Sequence, residues 1–266
     1  MSIMNINKLV FRNFKTLENV SFEPGRVNVF IGANGSGKTT VLEAIGLLCA
    51  AMTDRIDNSS MQRKGIRLSV PGLYKSAFSD LKRKAPTINC DVSWSQNEKN
   101  YQYAVNLNVP NESDSARRDM WRYHSEKLTV NNETVWGRSG ASKTTYDPYV
   151  GLLMLEPNEE LAEVRTEIEK FKNYAIYQPN TQAIRGTLPD PYQVNPIGLC
   201  GGRLAEAIEK IIRKDEDGES YLQDLPLDDV LELIDWASGL VHTVKVTAAN
   251  EHDVTVTSEL LTGDEE

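Results

Sequence analysis

Residues Gly32 to Thr39 read Gly-Ala-Asn-Gly-Ser-Gly-Lys-Thr and fill every fixed position of the pattern GxxxxGK[ST]. No other segment constrains the fold as much, because the pattern works only between a strand and the start of a helix. The preceding run Val27-Asn28-Val29-Phe30-Ile31 is short, apolar and β-branched, which predicts a buried parallel strand. After the loop, Val41, Leu42, Ile45, Leu48 and Cys49 recur at helical spacing, so Lys38 is expected to open a helix. The frame is that of an α/β fold built around a phosphate-binding loop.

The residue types dictate a chemistry. Gly32, Gly35 and Gly37 let the chain turn without Cβ clashes, so that successive amides converge on one centre. Ala33 lies within the same turn and offers its backbone. The positive end of the following helix faces the same centre. Lys38 is placed to bridge β- and γ-phosphate oxygens, and the Thr39 hydroxyl to take one Mg²⁺ position. Asn34, Ser36 and Thr40 add polar contacts. A plain glycine turn capping a helix is the alternative, but it does not require the full motif in its strand–helix setting. A nucleoside triphosphate is the implied ligand.

With 266 residues, 40% hydrophobic and 25% charged, the composition is that of a soluble globular chain. One large domain, or one domain with an inserted lobe, fits the length. No apolar run approaches the roughly 20 residues that span a bilayer, and no signal sequence is read at the N-terminus, so a cytoplasmic protein is expected. Cys49, Cys90 and Cys200 are odd in number and far apart, which suits a reduced interior rather than a disulfide frame or zinc site. The net charge of −9 is uneven. From Leu204 onward four Lys+Arg face seventeen Asp+Glu, a net −13, which leaves +4 for the first 203 residues. That balance leaves room for a basic face on the first part only.

Three stretches organise the chain: a loop-bearing core over residues 1–50, a lobe and lid over 51–190, and a helical and acidic segment over 191–266. Residues 3–31 read as two strands around a turn, then Pro24-Gly25, then the strand into the loop. Between Ala51 and Lys84 positive charge gathers at Arg55, Arg63, Lys64, Arg67, Lys75, Lys82, Arg83 and Lys84. Alternation over Ile88–Trp94 and Tyr101–Leu107 predicts one hairpin, and Glu126–Val130 with Glu133–Trp136 around Asn131-Asn132 predicts another. Helices are expected over Glu159–Tyr174, Leu204–Ile212 and Leu227–Trp236, and strands over His242–Thr247 and Val254–Glu259.

The opening Ile6-Asn7-Lys8-Leu9-Val10-Phe11-Arg12-Asn13-Phe14-Lys15, the loop's Asn34-Gly35 and the following Leu42-Glu43-Ala44-Ile45 resemble the N-terminal half of the RecF, SMC and OLD-nuclease superfamily. The resemblance extends loosely to small-lid RecF-like ATPases of bacterial anti-phage systems, through Tyr101–Leu107, Glu126–Leu128, Phe171–Asn180 with Ile184-Arg185, and Gly198 … Gly201-Gly202-Arg203. It implies an ABC-type ATPase head: a mixed β-sheet around the loop helix, with an inserted β-hairpin and helical lid, binding ATP and Mg²⁺. By the same resemblance Arg12 and Asn13 would lie near the nucleotide and Gln178 would be the glutamine that reaches Mg²⁺ or the attacking water. Arg12 and Asn13 equally suit a surface pair at a strand end, and Gln178 a solvated turn residue before Pro179.

The chain departs from that family in its hydrolytic parts. A Walker B strand with paired acids, a serine-glycine signature and a switch histidine are not found. Gly151–Pro157 offers one acid where two are needed and reads better as a lid helix, Val230–Trp236 is better read as an amphipathic helix, and His242 and His252 sit on expected strands, facing solvent. Catalysis therefore depends on whether a longer chain or a partner supplies the missing motifs. The resemblance implies self-association of heads or a second subunit, with an effector protein under their control in genome maintenance or phage defence. The other reading is a non-hydrolysing, nucleotide-sensing scaffold that docks an effector. DNA is a possible ligand of the Arg63-Lys64-Arg67 and Lys82-Arg83-Lys84 clusters, which otherwise are solvated faces.

Overall fold

A long N-terminal strand organises the molecule. The computed structural model describes residues 5–53, 55–77, 87–111, 113–139, 146–151, 162–194, 196–207, 241–248 and 254–260. They fall into two compact units, residues 1–176 and 177–266.

In the first unit, β1 (Asn5–Phe14) turns back into β2 (Leu17–Phe22), and β1 also pairs with β3 (Ile88–Gln96). The sheet continues through β4 (Lys99–Asn108), β5 (Arg122–Val130) and β6 (Glu133–Arg138), in the order β2-β1-β3-β4-β5-β6, and every pairing is antiparallel. The loop-bearing segment and the later hairpins thus share one sheet. Both hairpins follow their turn chemistry. Asn97 and Glu98, and then Asn131 and Asn132, all take positive φ, the conformation a two-residue hairpin turn demands.

The period-2 pattern sorts the sheet into two faces. Ile88, Cys90, Val92 and Trp94 of β3 and Tyr101, Tyr103, Val105 and Leu107 of β4 are buried in one core. The opposite face is polar: Asn13 Nδ2 donates to Asn89, Asn89 to Asn106, and Asn106 to Ser125. Within the core, Glu126 is held by Arg138 at 2.8 Å and accepts from the Tyr103 hydroxyl at 2.7 Å, so no buried charge is left uncompensated there.

Against the buried face lies α1 (Lys38–Thr53), buried on nearly all sides from Ala44 onward, as a central helix with this apolar content must be. It is followed by α2 (Asn58–Arg63), opened by a reciprocal cap between Asp57 and Ser60. A single 3₁₀ turn, Pro71–Tyr74, comes next, and α3 (Ala162–Lys172) packs on α1. Lys64 is buried and its ammonium donates to the carbonyls of Phe171 and Lys172 at the end of α3, where a cation complements the helix dipole.

One expectation is overturned. Val27–Ile31 was expected as a buried parallel strand. It forms no strand and pairs with none among the described residues, and Val27 is 84% and Ile31 91% exposed. The physical reason is the lack of a neighbour: an apolar β-branched run becomes a central strand only when a sheet exists on both sides of it. Phe30 lies edge-on to Phe22 at 5.8 Å, and Asn28 accepts from the Gly25 amide and donates to the Gly25 carbonyl, both at 2.9 Å.

In the second unit, α4 (Thr181–Ile184) starts with Asn180 as its cap. Residues 204–207 are helical, while the rest of the expected Leu204–Ile212 helix, the Leu227–Trp236 helix and most of Gly151–Pro157 lie outside the described residues. Strands β7 (Val241–Ala248) and β8 (Val254–Leu260) form a separate antiparallel pair, matching the expected alternations. His252 lies outside the described residues.

Candidate nucleotide-binding site

The turn between β1 and β2 and the glycine loop are built against each other. Asn13 and Lys15 take positive φ, which folds the chain tightly enough to bring Lys15 and Thr16 beside the start of α1. Gly37, at φ +94°, approaches so closely that a Cβ there would sit 2.8 Å from the Thr16 hydroxyl. Gly35, at φ +82°, has open space at its Cβ position. These two glycines are needed for different reasons, one for backbone twist and one for close approach as well.

The result is a cavity of about 750 Å³. Asn34, Gly35, Gly37, Lys38, Thr39 and Thr40 line it from the loop and from the first turn of α1. The first turn of α1 carries no acidic residue, so nothing competes with an anion for its free amides. Gly32 and Ala33 contribute differently: the Lys38 ammonium donates to their carbonyls at 2.6 and 2.8 Å, and the Ser36 amide donates to the Ala33 carbonyl at 3.2 Å. Lys38 thus lies folded over its own loop, within reach of the cavity it lines.

Several residues of the site went unread in the sequence. Lys15, Arg67 and Lys75 add three cations to the lining beyond Lys38. Two of them are fixed by Glu43, which is fully buried in α1. Lys15 Nζ donates to Glu43 Oε2 at 2.8 Å, and Arg67 Nε and its backbone amide donate to Oε1 at 2.7 and 3.2 Å. Burial pushes the Glu43 carboxyl up, but the hydrogen bonds and charges of Arg67 and Lys15 outweigh it and hold the carboxyl below its usual value. In the sequence, the only signal was an acid set into an otherwise apolar helix face, which must find a cation when buried.

Other expected residues are placed elsewhere. Arg12 and Asn13 do not line the cavity: Arg12 donates to Asn19 at 3.1 Å and approaches Asp91 at 3.5 Å, while Asn13 bonds the Thr87 carbonyl and Asn89 on the polar sheet face. Gln178 belongs to the second unit, exposed, with its amide donating to the Leu199 carbonyl at 2.8 Å. The Arg63-Lys64-Arg67 cluster is no continuous basic face, since Lys64 turns into the core and Arg67 onto Glu43. Lys82, Arg83 and Lys84 lie outside the described residues.

Whether the residues suit a triphosphate and its Mg²⁺ follows from the donor set. Four cations, the free amides at the start of α1 and the Thr39 hydroxyl fit a triphosphate tail, and Thr39 would offer one oxygen ligand to a divalent ion that offsets phosphate charge. No carboxylate among the described residues lines the cavity, and these residues include no group of three or more His, Cys, Asp or Glu able to cage a metal.

The AAA domain family matches residues 8–225. The "DNA replication and repair protein RecF" of Leifsonia xyli subsp. xyli is 28% identical over 173 residues, which cover 64% of this chain and 40% of that protein. RecF of Heliobacterium modesticaldum is 49% identical over 55 residues, 21% of this chain and 14% of its own length, and RecF of Phocaeicola vulgatus is 33% identical over 76 residues, 27% and 20%. The chain therefore spans well under half the length of these relatives. No helix among the described residues is long and apolar enough to cross a membrane. With the loop, its helix and the matched span in agreement, the chain belongs to the AAA domain family, as a P-loop ATPase domain distantly related to bacterial RecF proteins.

Proposed function

We propose that this chain is the ATP-binding part of a RecF-like head, and that ATP with Mg²⁺ seats in the cavity of residues 32–40 to control association with a second polypeptide. The observation that carries the reading is the cavity itself: a glycine turn shaped by Gly35 and Gly37, lined by Lys15, Lys38, Arg67 and Lys75. Lys38 leaves the Gly32 and Ala33 carbonyls for phosphate oxygens when the nucleotide enters. Thr39 holds the Mg²⁺, whose role is to offset charge on the phosphates. The loop amides and Lys38 orient the tail.

The exposed Val27–Ile31 segment supports the association. A largely apolar, exposed run leading directly into the loop, unpaired among the described residues, invites a strand from further polypeptide alongside it. Two heads clamped by ATP, or one head completed by another subunit, satisfy it equally. The RecF relatives are DNA replication and repair proteins by name, which supports genome maintenance as the controlled process; the resemblance to small-lid ATPases supports anti-phage defence, and in either case DNA is a ligand and an effector protein carries the output.

A second reading is favoured by the absence of a cavity-lining carboxylate among the described residues: a nucleotide-sensing scaffold that docks an effector without hydrolysis. The deciding experiment is titration of Mg-ATP into this chain, followed by measurement of turnover and of mass in solution with and without ATP. Measurable binding with negligible turnover is expected from the chain alone. Failure of ATP to alter assembly, even with a polypeptide carrying the Walker B and signature motifs added, would remove the head reading and leave the scaffold.

A further inference from the structure

We propose that the aliphatic rim of the cavity, Leu68 and Leu73 with Val70 beside them, is the platform for the nucleobase of the bound triphosphate. The proposal rests on the reading that residues 32–40 hold the phosphate tail.

The cavity lining combines two kinds of residue: the cations Lys15, Lys38, Arg67 and Lys75, and the apolar Leu68, Gly72, Leu73 and Ala77. A triphosphate engages the cations alone. About 750 Å³ is within the range of whole small-molecule sites, which leaves room beside the apolar residues that a phosphate chain does not fill. Leu73 is 64% and Val70 58% exposed, and Leu68 is also exposed. Isolated exposed aliphatics need no explanation, but Leu68 and Leu73 line one cavity, with the exposed Val70 between them in sequence, and gain from being covered.

The patch is also held still. Tyr74 is buried between Phe14 and Trp121, and its hydroxyl accepts the Ser69 amide at 2.8 Å, closing the 3₁₀ turn. The Lys15 amide donates to the Tyr74 carbonyl at 2.9 Å, and the Ser76 hydroxyl to the Leu17 carbonyl at 3.0 Å. The turn is thereby tied to the same β1–β2 connection that supplies Lys15 and Thr16 to the cavity lining. Nothing lies within 4 Å of a Cβ built at Gly72, so a flat ring can approach the turn from outside. A rigid apolar surface joined to a rigid cationic one suits a planar heterocycle attached to a phosphate chain, with little ordering cost on binding.

The test compares two ligands that differ only in carrying a nucleoside: Mg-ATP and inorganic tripolyphosphate with Mg²⁺, each titrated calorimetrically. Leu68→Ser with Leu73→Ser should weaken ATP about tenfold and leave tripolyphosphate unchanged. Leu73→Phe, which keeps an apolar plane on an exposed site, should retain wild-type ATP affinity. Unaltered ATP affinity in the double variant, or an equal loss for both ligands, overturns the platform. Lys38→Ala should weaken both ligands together. If it weakens neither, the phosphate-site reading falls and the platform with it.

Discussion

Replacing Glu43 with alanine should destabilise the first unit by more than any exposed ion pair could. Glu43 is fully buried and holds Lys15, whose side chain is 15% exposed, and Arg67, whose side chain is 62% exposed. Breaking a buried pair from one side costs about 3–5 kcal/mol, because the remaining charge is stranded. Here Arg67 can swing back into water, so only Lys15 is stranded, and the cost falls to about 2–3 kcal/mol. At about 2–4 °C per kcal/mol for a domain of this size, the midpoint should drop by about 5–10 °C. Arg67→Ala leaves Glu43 paired with Lys15 and should cost about 1 kcal/mol or less. Urea unfolding followed by tryptophan fluorescence, which reports the buried Trp94 and Trp121, measures both. The pH dependence has a definite sign. Because the folded carboxyl is held below its usual value, its stabilisation is complete above the unfolded value of about 4.3 and is lost as pH falls through the lower folded value. The gap between wild type and Glu43→Ala should therefore hold from neutral pH to about 5.5 and close under more acidic conditions. Equal costs for Glu43→Ala and Arg67→Ala, or a gap that widens on acidification, would refute this account of the triad.

Three other outcomes are expected. Gly37→Ala forces a side chain into φ +94° and against Thr16, so it should lower stability by about 1–3 kcal/mol and abolish ATP binding; a variant that still binds ATP normally would contradict the close approach. Asp190 is subject to burial, which raises its carboxyl, but the amides of Tyr192, Cys200 and Gly202 donate to it at 2.9, 2.9 and 3.1 Å and hold it below its usual value. Its support of the amides of Tyr192, Cys200 and Gly202 is then complete above the unfolded value of about 3.9 and lost as pH falls through the folded one, so protection factors at Cys200 and Gly202, corrected for intrinsic exchange, should fall at low pH in wild type and be low already at neutral pH in Asp190→Ala. Iodoacetamide should modify Cys200 before Cys49 and Cys90 in the folded protein, since both of those thiols are buried and burial pushes Cys49 up to about 12; early labelling of Cys49 would indicate an opened core.

How far the sequence could be read depended on the range of the interactions. The glycine loop, the helix behind it and the Asn131-Asn132 hairpin are local features, written in adjacent residues by turn chemistry and periodicity, and they stand where expected. Val27–Ile31 failed because a parallel strand is defined by neighbours rather than by its own residues. Arg67 was grouped with Arg63 and Lys64 as a basic cluster, yet its position is set by Glu43, 24 residues earlier, and that of Lys64 by carbonyls more than a hundred residues later. Charge runs reveal composition, while burial and partner choice come from tertiary packing. The apolar part of the cavity lining is illegible for the same reason: Leu68 and Leu73 meet Lys15 and Lys38 around one cavity only in the folded chain.

The central claim, that the amides of the glycine loop grip a triphosphate tail, is tested most directly by hydrogen exchange with and without Mg-ATP. Slowed exchange concentrated at Gly35 through Thr40, and absent in Lys38→Ala, is the predicted result. Unchanged exchange across that loop under saturating ATP, or protection confined to another part of the chain, would contradict it.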